Sequence, residues 1–337
     1  MQKRIIVWDL GATKCAAGLV EYHPETHELS CRKKFSIKIA DADSLENLVL
    51  RIEEGLNLAM ADADAICIGA AGQFNGESLH LESGYPYSMH FAQLAKQQHW
   101  APYHIVHDYV PIVCATFTTY MHQADNVKPL NQSPLKQYSR RVACGIGTGL
   151  GLKDGVLLDN GDFWLGYNEI GHIGVTTPPS AEKFLLQRHR EFIHFLQQDH
   201  LLKPNEALTF EKILSGQGLV RLHQFFYRDN QYITPEEVGH RMQAGQTPEI
   251  LDAFAWYTGL FIGTVQLIFM PEGGIWITGG VALSHLSIFD NPEFLHGIHT
   301  SPSYLPERQK YPLGILCNPE HALMGGGFYA SKRLLMI

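Results

Sequence analysis

No block of lysine and arginine appears anywhere in the 337 residues, and the formal charge is −8. A nucleic-acid binder would carry a basic patch, so that class is not expected here. Paired cysteines are missing as well. The six that occur (Cys15, Cys31, Cys67, Cys114, Cys144, Cys317) are scattered, with no C-x-x-C spacing. In a chain of this size that pattern reads as buried small residues in a reducing compartment, not as a disulfide framework. Long apolar runs are also scarce. The most apolar late run, "GLFIGTVQLIFM" from Gly259 to Met270, is shorter than the about 20 residues a bilayer needs. The opening "MQKRIIVWDLGATKCAAGLV" has a signal-like start, but Asp9 and Lys14 interrupt it and no continuous apolar core follows. These absences point to a cytoplasmic protein with no membrane and no nucleic-acid partner.

What is present suggests about two domains of roughly 150 residues each. A β-type run, Arg4 to Asp9, leads through "LGATK" to a second apolar run, Cys15 to Val20. Two short β-runs joined by a Gly-containing loop predict a hairpin. "SCRKKFSIKI" extends the strands. Leu45, Leu48, Ile52 and Leu56 then recur at helical spacing behind Ser44, which is a helix with its cap. "AICIGAAG" and "YHIVHD" follow as buried strands. The second half repeats this grammar. "RRVACGIG", "TGLGLKDGVLL" and "HIGVTTP" read as strands, two long helical stretches follow, and "GGIWITGGV" supplies another strand. No residue-level repeat accompanies the repeated pattern. The expectation is a duplicated α/β architecture with a cleft between its halves. Residues 1–112, completed by a C-terminal helix at 318–337, form the smaller domain, and 113–317 the larger. Gln123 to Ser139, rich in Pro, Asn, Gln and Ser, reads as a surface connection.

Several stretches carry possible chemistry. "GIGTGLG", Gly145 to Gly151, has glycine at every second position, which lets backbone amides approach an anion. No Gly-Lys-Ser/Thr follows it, and a strand rather than a helix comes next, so it is neither a Walker A loop nor a Rossmann fingerprint. A plain tight hairpin is the alternative. "DLGATK", Asp9 to Lys14, offers a carboxylate, a hydroxyl and an amine around a glycine. Those groups suit Mg²⁺ and phosphate oxygens, though an ordinary polar turn would look the same. "TGGV", Thr278 to Val281, places Gly279 and Gly280 at a strand end, where a flat base or ribose can pack on backbone. Glu169 and His172 in "GYNEIGHIGV", with Glu211 in "FEKILSGQGLV", could present carboxylates to sugar hydroxyls or sit on solvated faces. "MGGGFYASKRLL" reads as close helix packing. His189, His194 and His200 fall at separations that do not share one helix face, so a zinc site is not expected there. In "IVHDYVPIV", Asp108 ends an apolar strand, either at the rim of a cleft or as the cap of the next helix. An acid in such a place is costly to bury without a partner.

Taken in order, these motifs resemble bacterial glucokinase, a family of the actin/hexokinase/heat-shock-ATPase superfamily, nearly end to end. The resemblance implies a duplicated ribonuclease H-like fold with an interdomain cleft, and phosphorylation of a hexose 6-hydroxyl in glycolysis, dependent on ATP and Mg²⁺. On that resemblance Asp108 is the catalytic base. Glu169, His172, Glu211, His107 and Ser83 fall at sugar-binding positions. Asp9, Gly11, Thr13 and Lys14 match the first phosphate loop, with Asp9 holding Mg²⁺ through water. Gly147, Thr148 and Gly149 match the second loop, and Gly279 and Gly280 the nucleotide side. A homodimer is compatible with the family.

The departures are specific. His107 and Ser83 stand where the family has asparagine. "NEIGH" replaces "GEGGH", and Ala12 and Lys14 replace residues of "GGTN". The related ROK kinases carry a zinc-binding cysteine cluster, whereas this chain has no cysteine between Cys144 and Cys317. Glucose is the leading substrate. Another hexose or an amino sugar is the alternative, as is a non-catalytic sugar or nucleotide sensor that keeps the fold.

Overall fold

A computed structural model describes residues 1–11, 13–81, 88–176, 184–228 and 233–335. The chain divides into two units. One holds Met1–Val127, Leu158–Leu165 and Asn318–Ile337, and the other Lys128–Leu157 and Gly166–Cys317. The boundary drawn at 112 from the sequence therefore lies at Val127 in this division. The reason is packing: the helix Tyr109–Ala115 lies against the C-terminal helix His321–Arg333. The chain beyond it stays on the same unit, where Tyr120 donates its hydroxyl to the Asn318 carbonyl at 2.6 Å.

In the first unit β1 (Lys3–Leu10), β2 (Lys14–His23), β3 (Glu28–Lys38), β4 (Ala65–Ala70) and β7 (Tyr103–His107) form a five-stranded sheet in the order β3-β2-β1-β4-β7. A small hairpin, β5 (Gly72–Phe74) and β6 (Leu79–Leu81), follows β4. β1, β2 and β3 pair antiparallel, while β1, β4 and β7 run parallel. The central strands are covered on both faces, which is why "IIVW" and "AICIGA" read as continuous apolar runs. One face is covered by Leu45–Leu56, whose Leu45, Leu48, Val49, Ile52 and Leu56 are buried. Ser44 caps that helix by accepting from the Asn47 amide at 3.1 Å, as its position in the sequence predicts. The other face is covered by the C-terminal helix. There the glycine cluster is required by contact: a Cβ on Gly325 would lie 1.7 Å from the Pro111 carbonyl oxygen, and one on Gly326 2.3 Å from Val7. A short strand, β11 (Phe163–Leu165), joins this helix, with Phe163 5.7 Å from both Phe328 and Tyr329.

The second unit contains β8 (Val127–Pro129, entering from the boundary), β9 (Arg140–Ile146), β10 (Leu150–Leu157), β12 (Ile275–Thr278) and β13 (Leu313–Leu316). These run side by side in the order β10-β9-β12-β13-β8. The first two form an antiparallel hairpin, and β12 is parallel to both β9 and β13. A hairpin followed by parallel strands on its inner edge thus occurs in both units. This is the duplicated ribonuclease H-like architecture of the actin/hexokinase type. The third strand expected in "HIGVTTP" is absent from its described part. Ile170–His172 forms one 3-10 turn, and Gly174 makes a single bridge to Thr209. Residues 177 and 178 lie outside the described residues.

The main core of this unit gathers around the helix Pro248–Phe269. That helix is 22 residues long with a mean hydropathy of 1.2, long and apolar enough to cross a membrane, and 78% of the window is buried inside the protein. The apolar run seen in the sequence is only its second half. Its Phe254 and Phe261 are buried together with Phe210 and Ile298, which gives it the place of a core helix.

Candidate active site

The two units carry separate groups of the candidate residues. In the first unit, Asp9 lies near the end of β1, in register with Ala16 on β2 and Gly69 on β4. The turn beyond closes by the Gly11 amide donating to the Lys14 carbonyl at 3.0 Å, leaving Thr13 and Lys14 exposed. Ala12 lies outside the described residues, as does Ser83, so the sugar-binding position expected at Ser83 is not described. Burial pushes the Asp9 carboxyl up to about 6, the charge of Asp108 pushes the same way, and Lys14 opposes both.

Asp108 follows β7 directly. Its amide donates to the Ala70 carbonyl at 3.2 Å, tying it to the end of β4. A Cβ on Gly69 would come within 2.8 Å of Pro111, so a glycine at this point of β4 lets the helix start close by. Asp108 occupies the cap position of Tyr109–Ala115, yet its side chain makes no capping hydrogen bond. Its Oδ1 lies instead 3.0 Å from His107 Nδ1. Two acids thus stand at the ends of β1 and β7, on either side of β4, and the charge of Lys14 reaches Asp9. That donor set fits Mg²⁺, which binds through one or two carboxylates and keeps much of its water.

In the second unit the β9–β10 tip is closed by the Gly147 amide donating to Gly149 O at 2.9 Å, and Gly147 O accepts from the Gly216 amide at 2.9 Å. Gly216 opens the 12-residue helix Gly216–Tyr227, capped by Ser215, which accepts from the Gly218 amide at 3.1 Å. The glycine tip and a helix N-terminus are therefore locked together. Both are sources of oriented amides. Gly279, after β12, has φ 98°, and a Cβ there would lie 2.4 Å from Ile146 O. Only glycine fits that turn. The next helix, Gly280–Ser284, begins beside Gly147.

These parts wall a cavity of about 650 Å³, which Gly147, Thr148, Gln217, Gly280 and His285 help to line. Pro235, Glu236, His240 and Gln243 from the helix Pro235–Gln243 complete one side. Sequence reasoning missed that helix. Its capping box was readable in "TPEE", where Thr234 and Glu237 exchange hydrogen bonds. Nothing in the pattern placed it on a cavity.

Glu211 opens the short helix Phe210–Ile213. Its Oε2 accepts from the Leu150 amide at 3.1 Å, just past the glycine tip. Its Oε1 lies 3.7 Å from His172 Nδ1, and His172 Nε2 lies 4.0 Å from Glu169 Oε2. Three residues separated by up to 42 positions thus form one acid–imidazole–acid row. Their side chains are 72%, 57% and 35% exposed for Glu169, His172 and Glu211, as suits groups that receive a polar ligand.

The departures in "NEIGH" have structural causes. Ile170 is 5% exposed and joins the core. Asn168 donates to Asp154 at 3.1 Å, where Arg140 approaches the same buried carboxylate at 3.7 Å. His189 on the histidine-rich helix hydrogen-bonds Tyr257 at 2.7 Å inside the core.

A family model described as Glucokinase matches residues 6–333. The glucokinase of Photorhabdus laumondii is 24% identical over 283 residues, covering 80% of this chain and 81% of that protein. A crystal structure of glucokinase from an Antarctic psychrotroph superposes with a TM-score of 0.78 at 16% identity, over 97% of this chain and 98% of that one. A glucokinase structure from Balamuthia mandrillaris, in complex with glucose, gives a TM-score of 0.73 at 15% identity, over 98% and 94% of the two chains.

Proposed function

Since the chain belongs to the glucokinase family, we propose that it is an ATP-dependent hexose kinase that converts glucose to glucose 6-phosphate. The observation that carries the reading is the cavity where the glycine tip at Gly147 meets Gly280 and the N-terminus of Gly216–Tyr227. It offers a surface of backbone amides to phosphates and a roomy pocket to a nucleoside.

Phosphoryl transfer asks little covalent chemistry of a protein. It needs alignment, a proton acceptor and stabilisation of charge. Asp108 accepts the 6-hydroxyl proton as that oxygen bonds to the γ-phosphorus and the bond to ADP breaks. The amides of Thr148 and Gly149 hold phosphate oxygens on the tip that the Gly147 amide closes, and Gly11, Thr13 and Lys14 supply the second phosphate contact. Glu169, His172 and Glu211 hold the other sugar hydroxyls. A sugar lacking one of those hydroxyls would leave a polar group unpaired, which discriminates strongly. Asp9 is the residue that would hold Mg²⁺, and the ion, when bound, supplies countercharge to the phosphates. The reaction is placed in the cytoplasm, in line with the unpaired cysteines.

A coupled ADP-release assay over glucose, mannose, fructose and their amino and N-acetyl derivatives tests this. Glucose should give the highest kcat/KM. ATP or sugar binding by calorimetry, without turnover on any sugar of the panel, would instead support a sensor that has kept the fold.

A further inference from the structure

Leu150, where the glycine tip runs into β10, is held from two sides by the segments that carry the acid–imidazole–acid row. Its amide donates to Glu211 Oε2 at 3.1 Å. Its carbonyl faces Gly171, the neighbour of His172, so closely that a Cβ there would lie 2.4 Å from the oxygen. Gly149 makes room for the same carboxylate, since a Cβ on it would come within 2.9 Å of Oε2. Glycine at 149 therefore has a cause besides the approach of an anion. The other end of the tip is held by the segment that carries Glu211: the Gly216 amide donates to Gly147 O at 2.9 Å. That segment is itself fixed. Arg221 donates to Lys212 O at 2.7 Å, and Gly218 lies so near Ile213 O that a Cβ would be 1.7 Å away.

We propose that Glu211 is a positioning residue for the phosphate tip as well as a sugar contact, and that it couples the two sites. The inference rests on the proposed function, in which the tip takes the ATP phosphates and the row takes the hexose. Oε2 braces the Leu150 amide, which sets where the Thr148 and Gly149 amides point. Oε1 lies 3.7 Å from His172 Nδ1 in a side chain that is 35% exposed, and it is the oxygen left for a sugar hydroxyl. A hydroxyl donating to Oε1 fixes the plane of the carboxylate, and the same carboxylate then holds the tip in one geometry. Ordering one site lowers the entropy cost of filling the other. The coupling is reciprocal: glucose raises the affinity for ATP by the factor by which ATP raises the affinity for glucose.

Calorimetry with a non-hydrolysable ATP analogue, with and without glucose, tests this. Glucose should lower the Kd of the parent chain for the analogue by about fivefold or more. Glu211→Ala should weaken analogue binding by about three- to tenfold with no sugar present, the worth of one such hydrogen bond. Glucose should then no longer change it. Glu211→Gln keeps an oxygen for the Leu150 amide and should stay within about twofold of the parent in the absence of sugar. A residue that only contacts sugar would leave sugar-free binding untouched in both variants. In the parent chain, hydrogen exchange of the Leu150 amide, followed by NMR, should slow by about fivefold or more when glucose binds.

Sugar-free analogue binding that is unchanged in Glu211→Ala overturns the inference, as do equal losses in Glu211→Ala and Glu211→Gln. If the alanine variant does not fold, the parent chain decides: Leu150 exchange or an analogue Kd that ignores glucose is equally fatal. A parent chain that shows the coupling but phosphorylates no sugar refutes the kinase reading and leaves the inference standing. One that binds no analogue refutes the nucleotide reading of the tip, and the inference with it.

Discussion

Asp9 and Asp108 stand at the ends of β1 and β7, on either side of β4, and the proposed function gives them different work that single substitutions separate. Asp108→Asn keeps the shape and removes the proton acceptor. Turnover should fall by about 10²–10⁴-fold, the usual contribution of a general base, while KM for glucose changes little. Steady-state kinetics at saturating ATP read both. Asp9 is held in a place unfavourable to its charge. Its carboxyl moves from 3.8 to about 6, through burial first and Asp108 second. Between those values the folded chain keeps a proton that the unfolded chain has lost, so this group's contribution to stability falls as pH rises through the window. Asp9→Asn should therefore raise the unfolding free energy by about 1–3 kcal/mol at pH 8, with a much smaller gain at pH 4, and should abolish turnover. Urea titrations at the two pH values check this. An equal gain at both would contradict it. A local cost of this kind, kept in the sequence, is what a site residue shows when function and stability compete.

The elements that carry the site are tight turns whose geometry excludes most side chains. At Gly279 a left-handed φ of 98° coincides with a contact that leaves no room for a Cβ. Gly279→Ala should cost about 1–3 kcal/mol of stability and weaken ATP binding, since it moves Gly280 against the Gly147 tip. Denaturation and calorimetry with a non-hydrolysable ATP analogue test the two effects. This scale was partly legible beforehand. The helix at Leu45–Leu56, the hairpin tips and the glycine-rich last helix follow from periodicity, caps and glycine spacing. The mistaken strand at "HIGVTTP" shows the limit, because a short β-branched run with one glycine fits a strand or an extended loop equally well by local preference. Ile170 and Asn168 show another. Both looked like damage to a glycine motif, and contacts far away in sequence, with the core and with Asp154, account for them.

Across the whole molecule, the repeated order of hairpin and parallel strands is the feature most fully written in the sequence, because strands buried on both faces leave continuous apolar runs. The acid–imidazole–acid row of Glu169, His172 and Glu211 was not legible from spacing. Those residues meet only through the fold, and resemblance to a family, not periodicity, picked them out. The unit boundary was misplaced for the same reason: Tyr109–Ala115 belongs with a helix more than 200 residues later. The cavity helix Pro235–Gln243 went unread because one capping box fixes where a helix starts and says nothing of what it faces.

The proposed function requires that a phosphoryl group pass from ATP to the 6-hydroxyl of a hexose. Phosphorus NMR of the purified protein turning over ATP and glucose tests it directly. A phosphomonoester on carbon 6 should grow in step with ADP and be missing when Asp108→Asn replaces the parent chain. Inorganic phosphate in place of a sugar phosphate, or bound ATP with no product, would contradict it.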